Sequence, residues 1–212
     1  MRKIPTLFKR EFKDHKIVNV LPEYTNDLCV KALMFGKPTI KWDGSCCCII
    51  GGALYKRYDA KKGKPVPEGA IQCQKEPDPV TGHLPCWVRV DDKNPADKWF
   101  VEAFEASNNK FNMVNHGMAL PDGTYEAIGP HFQGNPYELP FDILIKHGLH
   151  ECQDFTLTVP ETPQAALEYV YNYLVAHDKS EGIVFWSDNE PVCKIKRTDF
   201  GLEWPVKNKE DK

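Results

Sequence analysis

Short apolar segments recur along the whole chain and limit the folds that it can adopt. Most are rich in β-branched or aromatic residues and are bounded by Gly, Pro, Asp or Asn. Segments of this kind are typical of β-strands in a globular sheet. The predicted strands are residues 39–42, 45–52, 53–59, 86–90, 123–129, 141–146, 156–159, 182–187 and 192–197.

Helical periodicity is clear in two segments, residues 95–110 and 162–180. In the first, apolar residues recur with near-helical spacing, and Asn108-Asn109 is expected to end the helix. In the second, Thr162 is a predicted N-cap and Pro163 suits the first turn. An apolar stripe predicts core packing for Ala166, Leu167, Val170, Tyr173 and Leu174. Together with the strands, this predicts an α+β domain of mainly antiparallel sheets with flanking helices.

The length of 212 residues suits a single domain with its own core. We divide it into an N-terminal extension over residues 1–39 and a motif-bearing core over residues 40–200. Within the core, residues 59–85 are a predicted surface loop. This loop is rich in Pro, Gly and Lys, with one short strand expected near residues 69–73. Asp43-Gly44 is expected to form a turn between the strands on either side.

The net charge of −3 argues against a protein that binds nucleic acid by bulk charge, although a local basic groove is compatible with it. No apolar stretch is long enough to span a bilayer, and the N-terminus lacks a secretory h-region. The eight cysteines include no CxxC pair, and a zinc site from Cys73, His83 and Cys86 has unusual spacing. We therefore expect reduced cysteines and a cytoplasmic location, with the nucleus as an alternative.

The chemistry of the chain centres on Lys41 in the stretch IKWDGS, residues 40–45. Taken alone, this lysine is equally compatible with a surface position beside a turn. However, Glu181 begins an apolar strand, and Lys194 and Lys196 are two residues apart, hence on one face of the next strand. A nucleophilic amine, a metal-binding carboxylate and two phosphate-binding cations would together serve phosphoryl transfer.

Six stretches occur in a fixed order: KWDG (41–44), YKRYD (55–59), TYEAIG (124–129), FDIL (141–144), EGIVF (181–185) and KIKR (194–197). In this set the chain resembles the covalent nucleotidyltransferases, which include DNA ligases, RNA ligases and mRNA capping enzymes. It is most similar to small single-domain ATP-dependent RNA ligases of the RNA ligase 1 type. The resemblance implies an adenylation domain with an ATP-grasp-like ligase core. Because only fifteen residues follow Arg197, we expect no C-terminal OB barrel.

The resemblance implies an enzyme that seals 5'-phosphate and 3'-hydroxyl RNA ends through a lysine–AMP intermediate and adenylated RNA. ATP would be the co-substrate, Mg²⁺ or Mn²⁺ the metal and RNA the partner, with a monomer favoured and no membrane involved. RNA repair is the natural cellular role. Alternatives are a DNA ligase, a capping-type nucleotidyltransferase, and an inactive module that binds nucleotide or RNA ends.

The resemblance also implies roles for individual residues, at the positions of this sequence that match the motifs of the family. The implied catalytic residues are Lys41, Asp43, Glu181, Lys194 and Lys196. The implied ATP-binding residues are Lys41, Arg57, Glu126, Phe141, Val184, Lys194 and Lys196. The implied metal ligands are Glu181, Glu126 and Asp43.

Some of these assignments have neighbours or simpler roles that compete with them. Lys56 is an alternative to Arg57, one register away. Phe141, implied to stack on adenine opposite Val184, is equally compatible with a core position. We expect the histidines His131, His147 and His150 to be structural or to contact substrate, with no metal role. The triplet Cys46–Cys48 is expected to alternate between sheet faces without chemistry of its own.

Overall fold

The computed structural model describes residues 1–14, 16–157 and 160–206. The chain forms two compact units. The six-stranded unit comprises Met1–Lys3 and Asp43–His147, and the three-stranded unit comprises Ile4–Trp42 and Gly148–Lys212. Every paired strand of the two units is antiparallel to its neighbour, and no sheet within the described ranges closes into a barrel.

The elements follow one another in this order. The chain begins with β1 (Phe8–Lys13), β2 (Lys16–Tyr24), α1 (Asp27–Phe35) and β3 (Lys37–Lys41). The six-stranded unit then contributes β4 (Ser45–Ile50), β5 (Ala53–Ala60), β6 (Ile71–Gln72), β7 (Leu84–Arg89), α2 (Lys98–Val114), β8 (Gly123–Ile128) and β9 (Ile143–Lys146). The last elements are α3 (Pro163–Ala176), β10 (Gly182–Ser187) and β11 (Glu190–Lys196).

The six-stranded sheet has the order β6-β7-β5-β4-β8-β9. Alternation along its strands separates a core face from an open face. Cys47, Ile49, Tyr125 and Ala127 face a core to which α2 contributes Ala103. The residues between them, including Cys46 and Glu126, therefore point to the opposite face.

The three-stranded sheet has the order β11-β10-β3, and β1 and β2 form a separate two-stranded ribbon. Ile183, Phe185, Cys193 and Ile195 are fully buried in a core that also contains residues of α1 and α3. The strand periodicity of two turns Lys194 and Lys196 to the other face. The apolar residues thus fix the direction in which the lysines project.

Several sequence predictions require correction. The strands expected on either side of Asp43-Gly44 are present, but they do not pair with each other: β3 pairs with β10, whereas β4 pairs with β5 and β8. The helix predicted to end at Asn108-Asn109 continues to Val114. Asn108 accepts a hydrogen bond from the Leu120 N–H at 2.8 Å, so its side chain joins the following loop and does not end the helix.

Other differences concern strands. Phe141 precedes β9, which begins two residues later. Residues 156–157 of the predicted strand 156–159 are not in a strand, and the other two lie outside the described residues. The expected N-terminal extension contains β1, β2 and α1, and it contributes Leu7 and Phe8 to the core of the three-stranded unit. The strand β1 is mostly charged, whereas β2 carries the apolar residues Ile17, Val18, Val20 and Leu21, a strand signal that the sequence analysis did not use.

Candidate active site

Three lysines and one glutamate meet on one face of the three-stranded sheet. Lys41 ends β3, Glu181 immediately precedes β10, and Lys194 and Lys196 lie on β11. Gly182 is opposite Lys41 on one side and Lys196 on the other. The register therefore places residues from three separate parts of the sequence side by side.

Glu181 is paired with two of these lysines at once. One carboxylate oxygen, Oε2, forms an ion pair with the Lys41 Nζ, and the other, Oε1, lies 3.0 Å from the Lys196 Nζ. The Glu181 side chain is only 8% exposed. Its backbone is also fixed, because its N–H donates to the Lys41 carbonyl and its carbonyl accepts from the Arg197 N–H. The carboxylate is thus held rigidly beside the predicted nucleophile.

Among the residues that the structure describes, Lys194 forms no ion pair, although Glu181 and Asp199 lie near enough to raise its pKa slightly against the larger lowering effects. Burial, followed by the charges of Lys41 and Lys196, lowers its pKa from 10.5 to about 8. Three ammonium groups accompany one carboxylate, so the positive charge exceeds what Glu181 neutralises. A partly buried site with uncompensated positive charge is suited to bind an anion such as a phosphate.

Two further residues shape this site. A Cβ atom on Gly182 would overlap the Ile195 carbonyl oxygen, so only glycine allows β10 and β11 to approach so closely. Asp199 accepts a hydrogen bond from the Lys196 N–H at 2.9 Å and pairs with Arg10 at 3.0 Å. Asp199 escaped the sequence analysis because its partner Arg10 lies almost the full chain length away.

The open face of the six-stranded sheet carries other predicted residues. Glu126 on β8 is opposite Cys46 on β4. Arg57 on β5 contacts Asp59 at 2.7 Å and the Met1 carbonyl at 2.6 Å. It lies near enough to Cys46 to affect the pKa of that thiol. The structure therefore places Arg57, Cys46 and Glu126 near one another.

The alternative basic residue of the same strand faces a different environment. Lys56 forms an ion pair with the buried carboxylate of Asp97, which lies just before α2. That carboxylate also accepts a hydrogen bond from the Asp91 N–H. The Lys56 ion pair therefore links the start of α2 to the sheet. This leaves Arg57 as the basic residue of β5 on the face of Glu126.

A cluster that sequence reasoning missed surrounds Glu126. The His147 Nε2 lies 2.9 Å from the Glu126 Oε2, and both side chains are about nine-tenths buried (14% and 13% exposed). Burial, followed by the charge of Glu126, raises the pKa of the Cys46 thiol to about 12. His147 follows β9, two residues after the Ile145 that pairs with Glu126. The pairing of distant strands, invisible in the sequence, brings the cluster together.

The remaining predicted residues have diverse settings. The Asp43 N–H donates a hydrogen bond to the Tyr137 hydroxyl at 2.6 Å, a contact that the sequence did not indicate. Phe141 is 53% exposed in the six-stranded unit, so it is not a core residue. Val184 lies in β10 of the three-stranded unit, where it pairs with Lys194.

Within the described ranges, none of the helices has the length and apolar character needed to cross a lipid bilayer.

Comparison with known proteins gives a consistent result. The family model for RNA ligase 1 matches residues 60–211. An RNA ligase 1 from Danio rerio is 26% identical over 171 residues, which cover 71% of this chain and 47% of that protein. An RNA ligase 1 from Pongo abelii is 25% identical over an alignment of 276 residues, which covers 97% of this chain and 82% of that protein.

A third relative, the RNA ligase 1 of Rattus norvegicus, is 24% identical over 170 residues, again covering 71% of this chain and 47% of the relative. The chain thus spans about half the length of the zebrafish and rat relatives. The family match begins after Lys41, whereas the orangutan alignment covers nearly the whole chain. Because the family model matches well over half of its residues, the chain belongs to the RNA ligase 1 family.

Proposed function

We propose that this protein is an ATP-dependent RNA ligase that seals 5'-phosphate and 3'-hydroxyl ends. The observation that carries the proposal is the cluster of Lys41, Lys194 and Lys196 around the buried Glu181. A structural salt bridge needs one lysine for one carboxylate. The additional cations lower the free energy of unfolding, because they are partly buried and repel one another. A negatively charged substrate offsets this loss of stability when it binds.

In the first step, the Lys41 Nζ attacks the α-phosphorus of ATP. A nitrogen–phosphorus bond forms, the bond to the β-phosphate oxygen breaks, and pyrophosphate leaves. The ammonium must lose one proton for the nitrogen to act as a nucleophile. Glu181 is in direct contact with that nitrogen and is placed to accept a proton. Lys194 and Lys196 stabilise the negative charge that develops on the phosphoryl oxygens.

In the second step, an oxygen of an RNA 5'-phosphate attacks the phosphorus of the lysine-bound AMP, which breaks the nitrogen–phosphorus bond. In the third, an RNA 3'-hydroxyl oxygen attacks the phosphorus of the activated 5'-phosphate and releases AMP. The same cations serve all three steps, because each step places negative charge on a phosphoryl group. RNA repair is the proposed cellular role.

The residues of the six-stranded unit are proposed to recognise ATP. Arg57 and Glu126 would contact the ribose or a phosphate, and exposed Phe141 would stack on the adenine. Val184, which lies in the three-stranded unit, stays a predicted ATP-binding residue. The exposed ring of Phe141 supports a stacking role, since a buried ring is not accessible to a ligand.

Mg²⁺, or Mn²⁺ in its place, is the proposed metal. Mg²⁺ is commonly bound through one or two carboxylates together with substrate phosphates. Glu181 supplies hard oxygen donors of the required kind next to Lys41, so this residue fits the role. Asp43 as a second ligand stays a prediction. When bound, the ion would neutralise charge on the phosphates. Glu126 as a third ligand stays a prediction.

Incubation with α-labelled ATP and Mg²⁺ tests the proposal. The wild-type protein should acquire covalent label, and Lys41→Ala should acquire none. Lys37→Ala is the matched control, because Lys37 is on the same strand but is 41% exposed and pairs with Glu151. Label should then move to 5'-phosphorylated RNA, and sealed product should follow.

The same assay separates the alternatives. Labelling from GTP would indicate a capping-type enzyme, and sealing of nicked DNA in preference to RNA would indicate a DNA ligase. ATP binding without any covalent label would indicate an inactive binding module. Retention of label by Lys41→Ala would refute Lys41 as the nucleophile.

A further inference from the structure

A second cluster of chemically reactive side chains lies in the six-stranded unit. One ligand atom from each of Cys46, Glu126 and His147 can be chosen so that all three lie within 4.8 Å of one another. Among the residues that the structure describes, this is the only such cluster of three His, Cys, Asp or Glu side chains. Its members come from β4, β8 and the residue after β9, so hydrogen-bonded strands fix their backbones.

The spacing is close to that of a bound metal. Zinc ligands lie about 2.0–2.3 Å from the ion, which places neighbouring ligand atoms of a tetrahedral site about 3.3–3.8 Å apart. A contraction of up to about 1.5 Å, within the reach of side-chain rotation, would bring the three atoms to this geometry. The positions therefore need no backbone rearrangement.

The histidine also has an unmet hydrogen-bonding requirement. The His147 Nδ1 is buried and makes no hydrogen bond among the described residues. Buried polar atoms without a partner are uncommon, because each costs about 1–3 kcal/mol. The other ring nitrogen, Nε2, already contacts Glu126. The imidazole therefore lacks one partner that a bound ion or a ligand of that ion would supply.

We propose that Cys46, Glu126 and His147 form a zinc-binding site with an open fourth position. Thiolate and imidazole donors favour Zn²⁺, whereas Mg²⁺ favours oxygen donors alone. Three protein ligands leave the fourth tetrahedral position for water or another small ligand. This assigns chemistry to His147 and Cys46, for which the sequence predicted no metal role.

A consequence follows that rests on the proposed function. If Glu126 binds the ribose of ATP, a zinc ion held by the same carboxylate competes with ATP. Zinc then inhibits the transfer of AMP to Lys41 by occupying the nucleotide site, and ATP protects against it. The six-stranded unit would in this way make the enzyme sensitive to free zinc.

Titration of the metal-free wild-type protein with Co²⁺, a spectroscopic substitute for Zn²⁺, tests the site directly. One equivalent should produce thiolate-to-cobalt charge-transfer absorption, and Zn²⁺ should displace it. Cys46→Ala should abolish this band, and His147→Gln should weaken Co²⁺ binding at least tenfold. Cys73→Ala is the matched control and should bind normally, which also tests the rival trio Cys73, His83 and Cys86.

A second measurement uses the wild-type chain alone, in case a variant folds poorly. Saturating Zn²⁺ should slow alkylation of Cys46 at least tenfold, as followed by peptide mass spectrometry, without slowing that of Cys73. Absence of the cobalt band in the wild-type protein, its survival in Cys46→Ala, or unprotected Cys46 would overturn the site.

The inhibition is tested separately by labelling with ATP. Zinc should reduce covalent label in the wild-type protein at least tenfold and have little effect on Cys46→Ala. Metal binding without inhibition would overturn the competition but not the site. Failure of labelling in the absence of zinc would count against the proposed function alone, so the two failures are distinguishable.

Discussion

Replacing Lys194 with Met should make the protein more stable and, at the same time, inactive. Burial and the charges of Lys41 and Lys196 lower the pKa of Lys194 from 10.5 to about 8. Each pKa unit corresponds to about 1.4 kcal/mol, so the charged side chain lowers the free energy of unfolding by up to about 3 kcal/mol at neutral pH. Met has a similar length without the charge and should remove most of this cost.

The effect depends on pH in a defined direction. Below about pH 8 Lys194 is charged in both the folded and the unfolded chain, so the whole penalty is present. Between about pH 8 and 10.5 the unfolded chain binds more protons at this residue, so the stability contributed by Lys194 rises with pH. Above about pH 10.5 the penalty disappears, and the advantage of Met should vanish with it.

Denaturant unfolding of the wild type and of Lys194→Met at pH 7 and at pH 11 measures this difference. We expect a gain of about 1–3 kcal/mol at the lower pH and almost none at the higher, with ATP-dependent labelling reduced about 100-fold or more. Lys179→Met, at an exposed position, is the control and should change neither. A gain of equal size at both pH values, or a loss of stability at pH 7, would refute the reasoning.

Three further substitutions test other parts of the structure. Glu181→Gln removes the anion shared by two lysines, so it should lower the free energy of unfolding by about 2–4 kcal/mol and abolish labelling. Glu181→Asp keeps the charge and should recover part of the stability and of the labelling. Full stability of the Gln variant would contradict the geometry. Gly182→Ala forces β10 and β11 apart, so thermal melting should show that the free energy of unfolding falls by about 1–3 kcal/mol or more. An unchanged stability would exclude the close approach of the two strands. Tyr137→Phe removes the hydrogen bond from the Asp43 N–H to the Tyr137 hydroxyl. It should slow labelling about tenfold with little change in melting temperature. Unchanged labelling would show that this bond does not position Asp43 for the reaction.

The sequence predicted a large part of the strand content. Strong alternation and β-branched residues marked β10 and β11, and both strands formed close to the predicted bounds. The helix at residues 163–176 also begins as predicted, with the Thr162 hydroxyl accepting a hydrogen bond from the Ala165 N–H. These features depend on residues that are close in sequence, so local patterns reveal them.

Features that depend on distant residues were not predictable. The strand β1 is mostly charged, and its pairing with β2 makes it a strand. The strands on either side of Asp43-Gly44 belong to separate sheets, which the local sequence does not reveal. Asp199 and Tyr137 likewise acquire their roles from partners far away along the chain.

The sequence by itself determined which residue types are available for the proposed phosphoryl transfer: Lys41, Glu181 and the pair Lys194 and Lys196. Strand periodicity puts the two lysines of the pair on one face. Only the tertiary structure decided which of these side chains form ion pairs with one another. The register of β3, β10 and β11 brings both Lys41 and Lys196 to the same carboxylate, whereas Lys194 forms no ion pair among the described residues. The pairing of β4 and β8, with the residue after β9, likewise gathers Cys46, Glu126 and His147. The physical reason is that charge and ligand chemistry depend on distances of a few ångströms, which strand pairing sets between residues far apart in the chain.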